Sequence, residues 1–307
     1  MNLLGIEIGG TKLQVVLGDE TGTIRARRRA QVDKGRGAQG ILEQLGSLLP
    51  ELAGESDIQG IGVGFGGPVD WKIGKVCVSH QIEGWSGFAF ASWLMRALPA
   101  PVFMENDANT AAYGEAHRGA GYGLDTVFYA TLGSGVGGGL VAGGRIYHGT
   151  LPGEMEFGHV RLSREGETIE SRCSGWAVDA RIRSLAKSQP GSILARLCSG
   201  REGGEARHLA AALDKKDPVA IQLLEELAGD LAFGLSHVVH LCHPQIIVIG
   251  GGLAGVGEPL RGAVEQALTA WVMEAFRPGP SIALSRLGED VVPVGALLLA
   301  AAGLKRR

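Results

Sequence analysis

Paired cysteines, a charge excess and long apolar runs are all missing from this chain of 307 residues. Its four cysteines, Cys77, Cys173, Cys198 and Cys242, form no CxxC or CxC pair. That speaks against a disulfide framework and a cysteine-based zinc site, and fits a reducing cytoplasm. The formal net charge is −3, so there is no basic field to attract nucleic acid or an anionic membrane. The run Arg25, Arg27, Arg28, Arg29 reads as a solvated strand or loop edge. No stretch reaches the length needed to span a bilayer. The opening residues lack a basic n-region and Glu7 interrupts their apolar run, so the sequence predicts a cytoplasmic protein without a signal peptide. GxxxxGK(S/T) and HRD signatures are absent too, which removes P-loop and protein-kinase machinery.

Glycine is abundant: 50 residues, more than twice an average share of roughly 7%. The glycines cluster between strand-like runs, where they suit tight turns and close approach of backbone to a ligand. Three GxGxxG matches, beginning at Gly62, Gly133 and Gly250, carry little information in so glycine-rich a chain. The first leads into Pro68 and another strand-like run rather than the helix that a dinucleotide site needs. The apolar fraction of 45% and charged fraction of 20% describe a globular protein large enough for two lobes.

Residues 3–17 read as a hairpin: LLGIEI, a turn at Gly9-Gly10-Thr11-Lys12, then LQVVL. Its tip exposes backbone N–H groups, a hydroxyl and an ammonium together, a set suited to phosphate, although an ordinary hairpin has the same local pattern. Residues 127–141 repeat the plan, with Gly133-Ser134-Gly135 at the tip. Two such hairpins point to a duplicated fold whose tips grip a polyphosphate. Between them, helical spacing at Ile41, Leu45, Leu48 and Leu52 marks an amphipathic helix, and Ile58 to Phe65 reads as a strand that breaks at Gly66-Gly67-Pro68. Trp85 to Leu98 reads as a helix. A strand from Pro101 to Met104 then runs into Glu105-Asn106-Asp107 and an alanine-rich helix. Asp107 at such a junction fits chemistry, since a helix N-terminus favours negative charge; it also fits a plain N-cap by Asn106 or Asp107.

Further on lie Glu154, Glu156, His159 and Glu170. Glu156 and His159 are spaced to act together, and hydrogen bonding to a polar ligand or a solvated charged loop explains them better than a metal site. Asp217-Pro218 opens a long helix whose apolar face takes in Ile221, Leu224, Leu227, Leu231, Leu235 and Val238. Pro244 stops it before a buried strand and Gly250-Gly251-Gly252. The chain closes with a small-residue helix.

Eight of these pieces, in this order, resemble the ROK family of sugar kinases and regulators within the actin-like ATPase superfamily: GIEIGGTK (Gly5–Lys12), GFGGPVD (Gly64–Asp70), ENDAN (Glu105–Asn109), GEAHRGAG (Gly114–Gly121), TLGSGVGGG (Thr131–Gly139), EFGH (Glu156–His159), HPQIIVIGGG (His243–Gly252) and VGALLLAA near the end. The resemblance implies an α/β, duplicated actin-like ATPase (ribonuclease H-like) fold of two lobes with a central cleft. Residues 1–117, completed by a C-terminal helix at 292–307, would form the small lobe and residues 118–291 the large one. It implies ATP and Mg²⁺ as cofactors and a hexose substrate. Asp107 is expected as general base, and Gly66, Gly67, Asn106, Glu156, His159 and Glu170 around the sugar. Glu7, Gly9, Gly10, Thr11, Lys12, Gly133, Ser134, Gly135, Gly250, Gly251 and Gly252 are expected around the nucleotide and its Mg²⁺. A homodimer is implied; nucleic acid and membrane partners are not.

Three departures from the family pattern stand out. Glu7 occupies a position that is usually Asp, where its task of holding Mg²⁺ through water survives an extra methylene. The CxCGxxGC zinc knuckle is missing, so no structural zinc is expected; Cys173 is then no ligand, and Glu170, four residues before Ser174-Gly175, sits on a shortened loop. Gln81 replaces an Asn before Trp85. The activity expected is phosphorylation of glucose at its 6-hydroxyl. Fructose, mannose, allose or an N-acetylhexosamine are alternatives, and a sugar-sensing repressor or a silent sugar-binding protein are the readings from other classes. Family repressors carry a helix-turn-helix domain ahead of the kinase-like body, and GIEIGGTK here begins at residue 5.

Overall fold

The structure is a computed structural model that describes residues 1–54, 56–79, 82–153, 155–198 and 202–306. Gln81 and Glu154, both singled out from the sequence, lie outside the described residues.

In chain order, β1 (Leu3–Ile8), β2 (Lys12–Gly18) and β3 (Ile24–Gln31) lead into helix α1 (Gly37–Ala53). Strand β4 (Gly60–Phe65), a short hairpin of β5 (Val69–Asp70) and β6 (Lys75–Val76), helix α2 (Phe90–Ala97), strand β7 (Val102–Asn106) and helix α3 (Asp107–Arg118) follow. Next come β8 (Thr126–Leu132), β9 (Val136–Ala142) and β10 (Arg145–Ile146), then five helices, α4 (Ile169–Cys173), α5 (Gly175–Ser188), α6 (Ile193–Leu197), α7 (Leu209–Asp214) and α8 (Pro218–Cys242). Strand β11 (Ile246–Gly250), helix α9 (Glu258–Leu268), strand β12 (Ser281–Leu284) and helix α10 (Val291–Lys305) complete the chain.

Two five-stranded sheets carry the same plan. The first has order β3-β2-β1-β4-β7 and the second β10-β9-β8-β11-β12. In the first, β2 pairs antiparallel with β1 and β3, whereas β1, β4 and β7 run parallel. In the second, β8, β11 and β12 run parallel and β10 is antiparallel to β9. This α/β duplication is the actin-like arrangement that the paired hairpins imply. The central parallel strands β4 and β11 are buried along their whole length, so they read as unbroken apolar runs rather than alternating ones. At the edge, β3 carries IRARRRAQ, whose charge discourages edge-to-edge pairing.

The chain divides into two compact units, residues 1–125 with 139–155 and 286–307, and residues 126–138 with 156–285. The first is built on its sheet, with α1 and α10 among its helices. Here α10 lies nearly backbone to backbone against its neighbours. A Cβ on Gly62 of β4 would stand 1.8 Å from the Ala296 carbonyl oxygen, and one on Gly295 would stand 2.0 Å from that of Thr110 in α3. Close approach therefore explains these glycines. In the second unit, α8 begins where the sequence places it: the Asp217 side chain accepts from Val219 N, with Pro218 as the first helical residue.

Two local expectations need correction. The helix expected over residues 85–98 is confined to α2. Trp85 precedes it in irregular chain, fully buried, with its ring edge-on to Phe65, Phe88 and Phe90. Aromatic packing thus overrides the helical spacing there. Ile221, assigned to the apolar face of α8, is 39% exposed, because that face is centred on Leu224, Leu227, Leu231 and Leu235.

Candidate active site

In the first unit, β7 delivers three polar residues to the start of α3. Asn106 is the cap: its side-chain oxygen accepts from Ala108 N at 2.8 Å and Asn109 N at 3.2 Å, and its amide donates to the Gly67 carbonyl at 3.2 Å. Asp107 is the first residue of α3 and half-buried. Its Oδ1 accepts from Ala108 N at 2.8 Å, and its Oδ2 lies where a Cβ on Gly66 would come within 3.4 Å. The helix end stabilises an ionised carboxylate there. Sequence reasoning left the cap open between the two residues; the structure assigns it to Asn106, with Asp107 Oδ1 sharing the Ala108 N–H.

The β1–β2 turn sits in the same unit. Gly9 N donates to the Lys12 carbonyl at 2.9 Å, closing the tip. Gly9, Gly10 and Gly66 line one small pocket together with Ile8, Phe65, Ser79, Ile82 and Trp85, so two stretches distant in sequence meet. Thr11 is exposed and Lys12 half-buried. Lys12 Nζ lies 3.3 Å from Glu7 Oε1, and Gln14 donates to Glu7 Oε2. Arg29 in turn donates to Gln14 Oε1 at 3.2 Å, so this arginine reaches inward from the edge strand, whereas Arg28 pairs with exposed Glu51 as a solvated edge would. Burial pushes the Glu7 carboxyl above its ordinary value, with Lys12 as the main opposing influence.

In the second unit, the β8–β9 hairpin presents Gly133, Ser134 and Gly135. Gly133 N donates to the Gly135 carbonyl at 2.9 Å, and Ser134 is exposed. Glu170 and Gly175 clamp this tip: Glu170 Oε2 accepts from Val136 N at 2.9 Å, and Gly175 N donates to the Gly133 carbonyl at 2.7 Å. A Cβ on Gly135 would fall 2.5 Å from Glu170 Oε2, and one on Gly175 would fall 2.8 Å from the Gly133 oxygen. Glu156 and His159 face each other at 3.9 Å, with side chains 53% and 74% exposed. Gly250 and Gly251 are needed for packing, since added Cβ atoms would lie 2.0 Å from Tyr129 Oη and 2.5 Å from the Leu132 backbone; around Gly252 the space is open.

Sequence reasoning named Glu105 and Gly175 only within motifs, without a part of their own, and did not single out His148. Glu105 is 4% exposed and lies 2.5 Å from His148 Nε2. The only sequence signal was an acidic residue ending a strand that should be buried.

Taken singly, a glycine-lined turn with an exposed hydroxyl suits a phosphate group, because backbone N–H groups at such a tip can point at its oxygens. With its oxygens already engaged by Lys12 and Gln14, Glu7 could meet Mg²⁺ only through the metal's waters, several of which Mg²⁺ usually keeps. Among the described residues, no three His, Cys, Asp or Glu side chains group to hold a metal directly. Cys173 is buried in α4, its thiol pushed up to about 12 by burial and then by Asp230. No described helix is long and apolar enough to cross a membrane.

Comparison with known proteins gives a match to the ROK family model over residues 3–302. The chain is 28% identical to a glucokinase of Thermotoga maritima over 96% of both chains. It is 29% identical to a β-glucoside kinase of Listeria innocua over 82% of this chain and 83% of that one. Among solved structures, a ROK family glucokinase from Streptomyces griseus in complex with glucose and AMPPNP superposes with a TM-score of 0.88, at 30% identity, covering 99% of this chain and 100% of the other.

Proposed function

Because the chain belongs to the ROK family, we propose that this ATP-dependent sugar kinase phosphorylates glucose at its 6-hydroxyl, with Asp107 as general base. The observation that carries the choice of glucose is the end-to-end likeness to glucokinases, one of them a complex with glucose. Asp107 takes the hydroxyl proton as the oxygen attacks the terminal phosphorus of ATP, whose bond to the bridging oxygen breaks and releases ADP. Its Oδ1 is occupied by Ala108 N, so the carboxylate is oriented before substrate arrives, which is what a general base requires. Asn106 fixes the corner and, with Gly66, Gly67, Glu156, His159 and Glu170, completes the proposed sugar contacts. The Gly9–Lys12 and Gly133–Gly135 tips hold the phosphates by backbone N–H groups, with Gly250 to Gly252 on the adenosine side. Mg²⁺, when bound, would supply charge neutralisation at the phosphates, and Glu7 would be the residue that holds it, through water.

The reading places the protein in the cytoplasm and gives it no structural zinc. Cys173 is buried, and Arg172 joins α4 to Asp230 of α8 at 2.9 Å, a protein contact that ties the segment down. Metal analysis of protein purified without added metal is expected to find zinc well below stoichiometric; one zinc per chain overturns this part of the reading.

Release of ADP across glucose, fructose, mannose, N-acetylhexosamines and a β-glucoside tests the substrate, and glucose is expected to give the highest kcat/KM. Asp107→Asn should lower kcat by about 10²–10⁴-fold, the usual contribution of a general base, with glucose binding largely kept. Near-normal turnover in that variant returns Asp107 to a structural role at the helix start.

A further inference from the structure

Two residues before Asp107, the buried carboxylate of Glu105 carries no ion pair with Lys or Arg among the described residues. Its Oε1 accepts from Asn106 N at 3.0 Å and Asn109 Nδ2 at 3.2 Å. Its Oε2 faces His148 Nε2 at 2.5 Å. The imidazole stacks on the Trp71 ring, centroids 4.2 Å apart and planes 18° from parallel. Asn109 Nδ2 also donates to the Gly153 carbonyl at 3.4 Å. A Cβ on Gly153, whose φ is +49°, would meet His148 Cδ2 at 3.3 Å and Trp71 Nε1 at 3.6 Å. The segment from His148 to Gly153 is therefore tied to the β7–α3 corner at both ends.

We propose that His148 is a positioning residue for phosphoryl transfer, satisfying the buried Glu105 carboxylate so that the corner carrying Asn106 and Asp107 keeps one geometry. Burying a carboxylate is expensive unless its lone pairs are met by donors. Glu105 has backbone and amide donors on one oxygen and the imidazole on the other. Without the imidazole, the buried Oε2 has lost its donor and the carboxylate turns to find another. That rotation disturbs Oε1, which holds Asn106 N and Asn109 in place, and so disturbs the residue that follows Asn106. Asn109 Oδ1, buried beside this network, has no donor among the described residues. The aromatic stack sets the imidazole plane, and the N–H performs the task.

The inference rests on the reading of Asp107 as base, so the experiment includes Asp107→Asn alongside His148→Phe, His148→Gln, Glu105→Gln and the double variant His148→Phe with Glu105→Gln. For each, kcat, KM for glucose, KM for ATP and the unfolding temperature are measured. His148→Phe keeps an aromatic stack and loses the N–H. It is expected to lower kcat by about 10–100-fold, the effect of displacing a reacting group by about 1 Å, with KM for ATP within about twofold because the phosphate turns are untouched. His148→Gln places an amide N–H near the imidazole Nε2 position and should stay within about threefold of wild-type kcat. Glu105→Gln should relieve the His148→Phe loss several-fold, since the atom left without a donor is then uncharged, giving a double-mutant coupling.

Wild-type kcat in His148→Phe, or additive losses in the double variant, overturns the proposal. An equal fall in His148→Phe and His148→Gln does the same, because the stack would then matter more than the hydrogen bond. Should His148→Phe fail to fold, His148→Gln compared with Glu105→Gln decides on the same criteria. An inactive Asp107→Asn beside an unaffected His148→Phe sinks the positioning role alone. A nearly active Asp107→Asn sinks the base reading, and the positioning role with it.

Discussion

Glu7 shows how a single residue can be placed at some expense of stability. Burial raises its pKa above the ordinary 4.5, despite Lys12 and Gln14 pulling it down. The folded state thus favours the protonated carboxyl. The resulting contribution to stability is complete below the unfolded value and is lost as pH rises through the higher folded one. At neutral pH the charged form is carried at a penalty. Glu7→Gln should accordingly be more stable than wild type at pH 7 in denaturant titration, with the difference closing as pH falls below about 4.5. It should also lose about 10–100-fold in activity at limiting Mg²⁺, as outer-shell metal partners generally do. Equal stability at pH 7 would show that Lys12 fully compensates the burial. The residue scale is also where sequence reading stopped short. Asp107 was legible because a strand, a polar triplet and a helix adjoin along the chain. The pair of Glu105 and His148 was not, because its members are 43 residues apart and only the fold brings them together. Gly250 and Gly251 were read for their openness to a ligand, yet Tyr129 and Leu132 already require glycine there.

At the level of elements, the second hairpin is held by the start of α4 and the junction into α5. Glu170 meets the first residue of β9 and Gly175 meets Gly133, so a motif of an acid followed by Ser-Gly is in part a clamp on a turn. Gly175→Ala would drive a Cβ to 2.8 Å from the Gly133 oxygen, which forces the turn to move. Overpacking on that scale typically costs about 1–3 kcal/mol. Since the turn is proposed to bind phosphate, KM for ATP should rise about 5–10-fold while KM for glucose changes little. A change confined to thermal stability would argue that the clamp supports the fold only. Both hairpins were recognisable from apolar runs flanking glycine turns, and α8 from its Asp-Pro start, since those signals are local. The helix expected from Trp85 was not, since aromatic packing that reaches back to Phe65, well outside the segment, decides it.

For the whole molecule, the matching sheet orders confirm the duplication inferred from two hairpins. Strand order itself, with β1 placed between β2 and β4, follows from pairings between distant segments that no local pattern encodes. Assembly belongs to this scale as well. We expect a homodimer from the family resemblance, and light scattering of the purified protein should return twice the chain mass of 32.0 kDa; a mass of one chain rules it out.

The discontinuity of the first unit has a consequence for biosynthesis. Its sheet is encoded by the first 106 residues, yet α10, which contributes Leu297, Ala300 and Ala301 to the cluster holding Leu3 and Val16, comes last. At about 5–20 residues per second, a ribosome needs roughly 10–40 s to add the intervening 200 or so residues. Throughout that interval the nascent sheet presents an uncovered apolar face, which a chaperone can occupy. The N-terminal half of this protein is therefore made early and finished late.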